Sequence, residues 1–202
     1  MKLIVLTSPD FFVEEDKIIA SLFDEGLDLL YLRKPQKEPV YSERLLTLLP
    51  DEYHKRVMVY DHFYLKEEFD LLGIHLSKHN TQTPHDYKGL VSRSCYSLAD
   101  LAAAKAESDY VMLTHVFDSL SDKGVKASYS AEDLQEASRN GLIDRRVIAM
   151  GGVCLDNIDK VRALGFGGVA VRGDLWTRFN IHRGTDFKEL INHFRKLRKA
   201  TL

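Results

Sequence analysis

The sequence predicts a single (β/α)8 barrel, the TIM-barrel class, as one domain over residues 1–202. Three observations carry that prediction. A short apolar run rich in Val, Ile and Leu, a polar break and a helical pattern recur along the chain, which is the mark of βαβ units and a parallel sheet. The runs number about eight, and Val147–Met150 is continuous rather than alternating, as a strand buried on both faces requires. No Pro/Ser-rich linker or low-complexity stretch divides them. At 202 residues with 45% hydrophobic content the chain can bury one core. Such barrels usually take about 250 residues, so the loops must be short.

Leu3–Leu6 reads as the first strand, and Phe11 to Glu25 as a helix with Ile18, Ile19, Leu22 and Phe23 on one face and Gly26 beyond its end. Leu27–Leu32 is the second strand, closing on Arg33-Lys34; Val40–Leu49 is helical until Pro50. Arg56–Tyr60 delivers Asp61 and His62, and Lys66 to Leu72 is a short helix. After the fourth strand, Gly73–Leu76, the stretch Ser77 to Lys88 carries turn residues rather than a helical pattern. Leu90–Ser94 leads through Cys95-Tyr96 to Ser97, read as the cap of the helix Leu98–Ala106. Tyr110–Thr114 ends at His115, and a loop from Asp118 to Ala127 precedes the helix Ala131–Asn140. Val147–Met150 ends in Gly151-Gly152, and Cys154-Leu155-Asp156 opens a helix to about Leu164, stopped by Gly165. Gly168–Val171 runs into Arg172-Gly173-Asp174, and Asp186–Lys199 is a basic final helix.

A formal net charge of −2 and a pI near 6.4 give no electrostatic footprint for nucleic acid or an anionic membrane surface. Any anion must be bound locally. Cys95 and Cys154 form neither a disulfide framework nor a zinc pattern and read as reduced thiols of a cytoplasmic protein. The short apolar run Leu3–Leu6 near the N-terminus is too short for a signal peptide, and no segment approaches the ~20 apolar residues of a membrane helix.

In a barrel of this kind, chemistry gathers at the C-terminal ends of the strands. Gly151, Gly152 and Gly173, with Arg172, form a candidate phosphate cradle, because the loops after strands seven and eight are the frequent phosphate site and glycine N–H groups approach an anion closely. His115 is the sharpest candidate for proton transfer; its alternative is a hydrogen-bonded packing histidine. His75, between Ile74 and Leu76, reads as a structural hydrogen-bonder inside the barrel, and His54, His79, His85, His182 and His193 as surface residues. Asp61 suits Mg²⁺, a substrate amine or a helix cap. Arg33 suits an anion or a structural ion pair, and Lys34 is a ligand or a solvated side chain. No other lysine ends a strand in the middle of the chain, which leaves a Schiff-base aldolase little support.

These residues resemble the thiamin phosphate synthase superfamily, single (β/α)8 barrels acting on thiazole phosphates. The resemblance is carried by LIVLT, LYLRK, VYDHFYLKEEFDLLGIHL, SCYSLADL, DYVMLTHVF, VIAMGGV and GFGGVAVRG. The synthase branch joins a thiazole phosphate to a pyrimidine diphosphate with Mg²⁺. Its Gln-x-Arg-x-Lys stands here as Tyr31-Leu32-Arg33-Lys34-Pro35, its Asn-Asp-Asp as Tyr60-Asp61-His62, and its next aspartate as Asn80. Its Ser-x-His-Thr stands here as Ser94-Cys95-Tyr96-Ser97. The thiazole tautomerases carry His-Val-Phe, found here as His115-Val116-Phe117 before a loop running to Lys123-Gly124.

The favoured expectation is a tautomerase without metal or cofactor. In it His115 is the general acid/base, Gly151, Gly152, Arg172 and Gly173 hold phosphate, and Arg33, Lys34, Asp61, Tyr96 and Lys123 contact substrate. The alternative is a synthase with Mg²⁺ on Asp61 and with Arg33, Lys34 or Lys123 on the diphosphate. A third reading is a non-catalytic thiazole- or thiamin-phosphate binding protein. The resemblance also implies a homodimer.

Overall fold

The structure is a computed structural model that describes residues 1–35, 37–178 and 187–202. Among these, eight parallel strands close into a barrel in chain order: β1 (Lys2–Leu6), β2 (Leu29–Leu32), β3 (Val57–Val59), β4 (Gly73–Leu76), β5 (Leu90–Cys95), β6 (Tyr110–Leu113), β7 (Val147–Met150) and β8 (Gly168–Val171). β8 returns to β1 with Ile4 opposite Ala170, which completes the ring.

The helices are α1 (Glu15–Asp24), α2 (Pro39–Leu48), α3 (Leu65–Glu68), α4 (Leu101–Ala106), α5 (Ala131–Arg139), α6 (Ile158–Ala163), α7 (Gly173–Trp176) and α8 (Lys188–Thr201). Pro39 at the start of α2 loses no hydrogen bond there. Ser130 and Asp133 close a reciprocal capping box on α5. Residues 77–89 hold no helix, as their turn-rich composition predicts.

Strand periodicity divides the apolar residues into two layers. Ile4, Leu29, Tyr31, Met58, Tyr60, Tyr110, Met112, Ile148 and Ala170 fill the barrel interior. Their neighbours Leu3, Val5, Leu30, Val57, Val111, Val147 and Val169 face outward and pack with Ile18, Leu22, Leu45, Val161 and Phe194 of the helices.

Several predicted boundaries move. α4 begins at Leu101 because Ser97 first accepts a hydrogen bond from the Asp100 N–H (3.1 Å), closing a turn ahead of the helix. The stretch after Gly152 opens as a short 3-10 turn, Leu155–Asn157, before α6. The one-turn α7 is not evident in the sequence; Trp176 anchors it by donating its indole N–H to Leu6 O (2.7 Å). Asp186, the predicted start of the last helix, and His182 lie outside the described residues. His54 and His193 are buried rather than superficial, held by Leu46 O and by the Asp174 carboxylate.

Candidate functional site

The inward parity of each strand continues past its end, and this builds the site. Stepping by two from the interior residues reaches Leu6, Arg33, Tyr60, Ser94 and Tyr96, Thr114, Met150 and Arg172, all of which line one cavity of about 500 Å³ at the C-terminal mouth. That volume suits a small metabolite.

Beneath this mouth runs a buried polar chain. The Tyr31 hydroxyl donates to Ser92 Oγ (2.9 Å) and also meets the Tyr110 hydroxyl. Ser92 Oγ lies 2.8 Å from His75 Nδ1, and His75 Nε2 lies 2.8 Å from Ser94 Oγ at the cavity wall. Burial, seconded by the charge of Arg33, pushes the His75 pKa down to about 3, so the ring is neutral and can hold one donor and one acceptor role at once. His75 is the structural hydrogen-bonder expected of it.

On the far wall, Gly151 (φ +96°) and Gly152 (φ +64°) turn the chain after β7 in the left-handed region. A Cβ on Gly151 would lie 2.7 Å from His115 N, and one on Gly152 would lie 2.1 Å from Asp118 O. The loop after β6 therefore packs directly on these glycines. Gly173 and Arg172 complete the wall, and the Arg172 guanidinium donates to Ser121 Oγ (2.6 Å) and to the Asp122 carboxylate. The four residues expected to hold phosphate thus stand together.

His115 lines the same cavity and is half-buried. Its φ of +54° is a left-handed conformation uncommon for a side-chain-bearing residue. Two hydrogen bonds hold it there: Val116 N–H donates to Met150 O (3.1 Å) and Phe117 N–H to Gly151 O (3.0 Å). Beside it, just past the end of the neighbouring strand β5, the Tyr96 ring stands 6.4 Å from the His115 ring, centroid to centroid.

Arg33 lies over the Tyr60 ring, 5.4 Å from its centroid, while its backbone is clamped by Thr7. Burial raises the Tyr60 hydroxyl pKa, and the Arg33 charge only partly offsets this, so the phenol stays neutral. Asp61 caps no helix; its Oδ1 accepts from Asn80 Nδ2 (2.8 Å), which also donates to Tyr60 O (3.1 Å).

Two expected substrate contacts do not reach the cavity. Lys34 follows the inward Arg33 and so points the other way, into the layer between sheet and helices. There its ammonium donates to Glu15 Oε1 and Oε2 (2.6 and 2.7 Å), Ser8 O (2.9 Å) and Asp10 O (3.1 Å). It ties down the loop after β1. Lys123 is exposed beyond the cavity lining.

Conversely, Lys78 and His79 after β4, and residues 119–122 after β6, line the cavity without having been expected there. Tyr60, Ser94 and Met150 were also unassigned, although strand parity alone points them inward.

Among the described residues, no group of three or more His, Cys, Asp and Glu side chains is arranged to hold a metal. A single carboxylate such as Asp61 would hold Mg²⁺ only with substrate phosphates and water completing the ligand set. No helix among the described residues is long and apolar enough to cross a membrane.

Comparison with known proteins gives a consistent result. A solved structure described as thiamine phosphate pyrophosphorylase from Bacteroides thetaiotaomicron is 49% identical, matching 100% of this chain and 98% of that one with a TM-score of 0.90. A second, thiamine phosphate pyrophosphorylase from Pyrococcus furiosus, shares the fold at 19% identity and a TM-score of 0.76, over 98% of this chain and 94% of that one. A protein named thiamine-phosphate synthase from Nitrosomonas eutropha is 29% identical over 157 residues, which is 74% of this chain and 70% of that protein. The sequence model of the thiamine monophosphate synthase family matches residues 3–175, and the chain belongs to that family.

Proposed function

We propose that this barrel binds a thiazole phosphate at its mouth and joins it to a pyrimidine diphosphate, the reaction for which its relatives are named. The observation that carries this reading is the 49% identity, over the whole chain, to a protein described as thiamine phosphate pyrophosphorylase. It favours coupling over the tautomerase chemistry that the His-Val-Phe motif brings forward.

The cavity supports the reading chemically. Arg33 and Arg172 stand on β2 and β8, separated only by β1, and supply positive charge for anionic groups. The Tyr60 and Tyr96 rings offer faces for flat heterocycles, and the Ser94 and Thr114 hydroxyls line the same cavity. Gly151, Gly152 and Gly173 line the same cavity, where their backbone N–H groups would supply donors for a phosphate. Asp61 would hold Mg²⁺, which when bound neutralises charge on the departing diphosphate.

The second reading, a thiazole tautomerase, is favoured by one specific observation: His115 is held at the mouth in a left-handed conformation, where a single base serves proton transfer. A coupling assay with thiazole phosphate and hydroxymethylpyrimidine diphosphate, with and without Mg²⁺, tests the proposal beside a tautomerisation assay. Mg²⁺-dependent release of diphosphate is the expected result. Tautomer turnover with no coupling would replace it with the second reading.

A further inference from the structure

The Arg172 guanidinium is the positive group of the glycine-lined wall, and its Nη2 is already engaged. Asp122 places its carboxylate on it, and Ser121 adds its hydroxyl to the same guanidinium nitrogen (2.6 Å). Ser121 Oγ and Ser119 Oγ also reach Asp122 Oδ2, at 3.2 and 3.4 Å. An anionic oxygen therefore sits where a phosphate oxygen bound by Arg172 would sit.

The segment that carries it is built as a tip on a firm base. Ser119 N–H donates to Val125 O (2.9 Å), and Asp118 holds both Lys126 Nζ (2.8 Å) and Ala127 N–H (2.9 Å), which closes the loop below the tip. Above that base, the tip meets the barrel at Arg172 and at Gly173, where an added Cβ would lie 3.0 Å from Leu120 Cβ and 3.2 Å from Ser121 N. Leu120 itself is 48% exposed, so little apolar burial retains it.

We propose that Asp122 is an internal occupant of the anion site and sets its selectivity: a ligand reaches Arg172 Nη2 only by displacing this carboxylate. The proposal rests on the phosphate reading of the preceding section. A tethered carboxylate acts at high effective concentration, so a free monocarboxylate brings no more charge than Asp122 and loses to it. A phosphate dianion brings more charge and more acceptor oxygens, and it prevails. The pairing thus filters carboxylates out of a site that takes phosphates.

Calorimetric titration of the full chain at low ionic strength, with inorganic phosphate and separately with acetate, tests this on the wild type and on Asp122→Asn, Asp122→Ala and Arg172→Ala. The Asp122 side chain is exposed, so its variants are expected to fold. Removing the carboxylate should tighten phosphate by about threefold or more, the range of a partly exposed ion pair, and should bring acetate binding into view. Arg172→Ala should weaken phosphate in every background. If the wild type binds phosphate through Arg172 but both Asp122 variants bind it no more tightly, the occupant proposal fails and the phosphate reading stands. If neither the wild type nor the Asp122 variants bind phosphate, the phosphate reading fails and takes this proposal with it.

Discussion

Lys34 Nζ lies 2.6 Å and 2.7 Å from the two carboxylate oxygens of Glu15, with both side chains 2% exposed. Burial opposes both charges: it pushes the Glu15 carboxyl up to about 7 against the pull of Lys34, and it pushes the Lys34 ammonium down. Glu15→Gln leaves Lys34 among the Ser8 and Asp10 carbonyls without a counter-charge, and it should cost about 3 kcal/mol in urea unfolding. The double variant Glu15→Leu/Lys34→Met should recover part of that loss. A cost of the single variant below ~1 kcal/mol would show that the pair does not tether the loop after β1.

His75 gives the fold a pH dependence of known sign. Its folded pKa is about 3 against an ordinary 6.5, so between those values the unfolded chain binds a proton that the native ring does not. Its contribution is fully present above pH 6.5 and is lost as pH falls toward 3, amounting at most to roughly 5 kcal/mol. His75→Gln keeps a donor and an acceptor but does not titrate. Unfolding free energy measured from pH 7 to pH 4 should fall less steeply in this variant than in the wild type; parallel curves would count against the assignment.

His115→Asn separates the two chemistries of the mouth. Asn tolerates the left-handed backbone at this position, so the variant keeps the loop and removes only the imidazole ring. On the coupling reading, diphosphate release should fall by less than the ~10²-fold that loss of an acid–base group costs. Tautomer turnover that is present in the wild type and drops by about 10²–10⁴-fold in the variant would favour the second reading instead.

Gly151→Ala should be costly although the change is one methyl group. The new Cβ would meet His115 N at 2.7 Å and Cα at 2.8 Å, on a backbone with φ +96°. A loss of about 2–4 kcal/mol in unfolding free energy is expected, together with weaker phosphate binding. Wild-type stability would mean that the contact relaxes freely.

The strands other than β5 were legible because each is a mainly apolar run buried on two faces, and the site was legible where it continues their parity. Arg33, Arg172 and Tyr96 follow from that rule. Lys34 obeys it too: one residue beyond an inward side chain, it had to face the helices, and alternation applied at that position would have excluded it from the mouth. The Asp122 contact with Arg172 had no sequence signal, because fifty residues separate the partners and a loop has no period to read. His54 and His193 were misplaced for a related reason. Their burial depends on Leu46 O and on Asp174, which local composition does not reveal.

The missing helix between β4 and β5 sets the order in which the barrel loosens. The outer face of β5 is covered by Tyr87, whose hydroxyl donates to Leu90 O (3.1 Å), and by the ion pair of Arg93 with Glu107 (2.7 Å). Val91 and Arg93 remain half-buried there, and Arg93 Nε is buried without a hydrogen-bond partner among the described residues. With so little packed over it, this stave has the weakest local protection, and its backbone amides should be among the first strand amides to exchange with deuterated solvent. The exposed run Thr81 to Asp86 beside it touches no core residue that an added segment would disturb. Extra residues spliced in there should leave the mouth of the barrel intact.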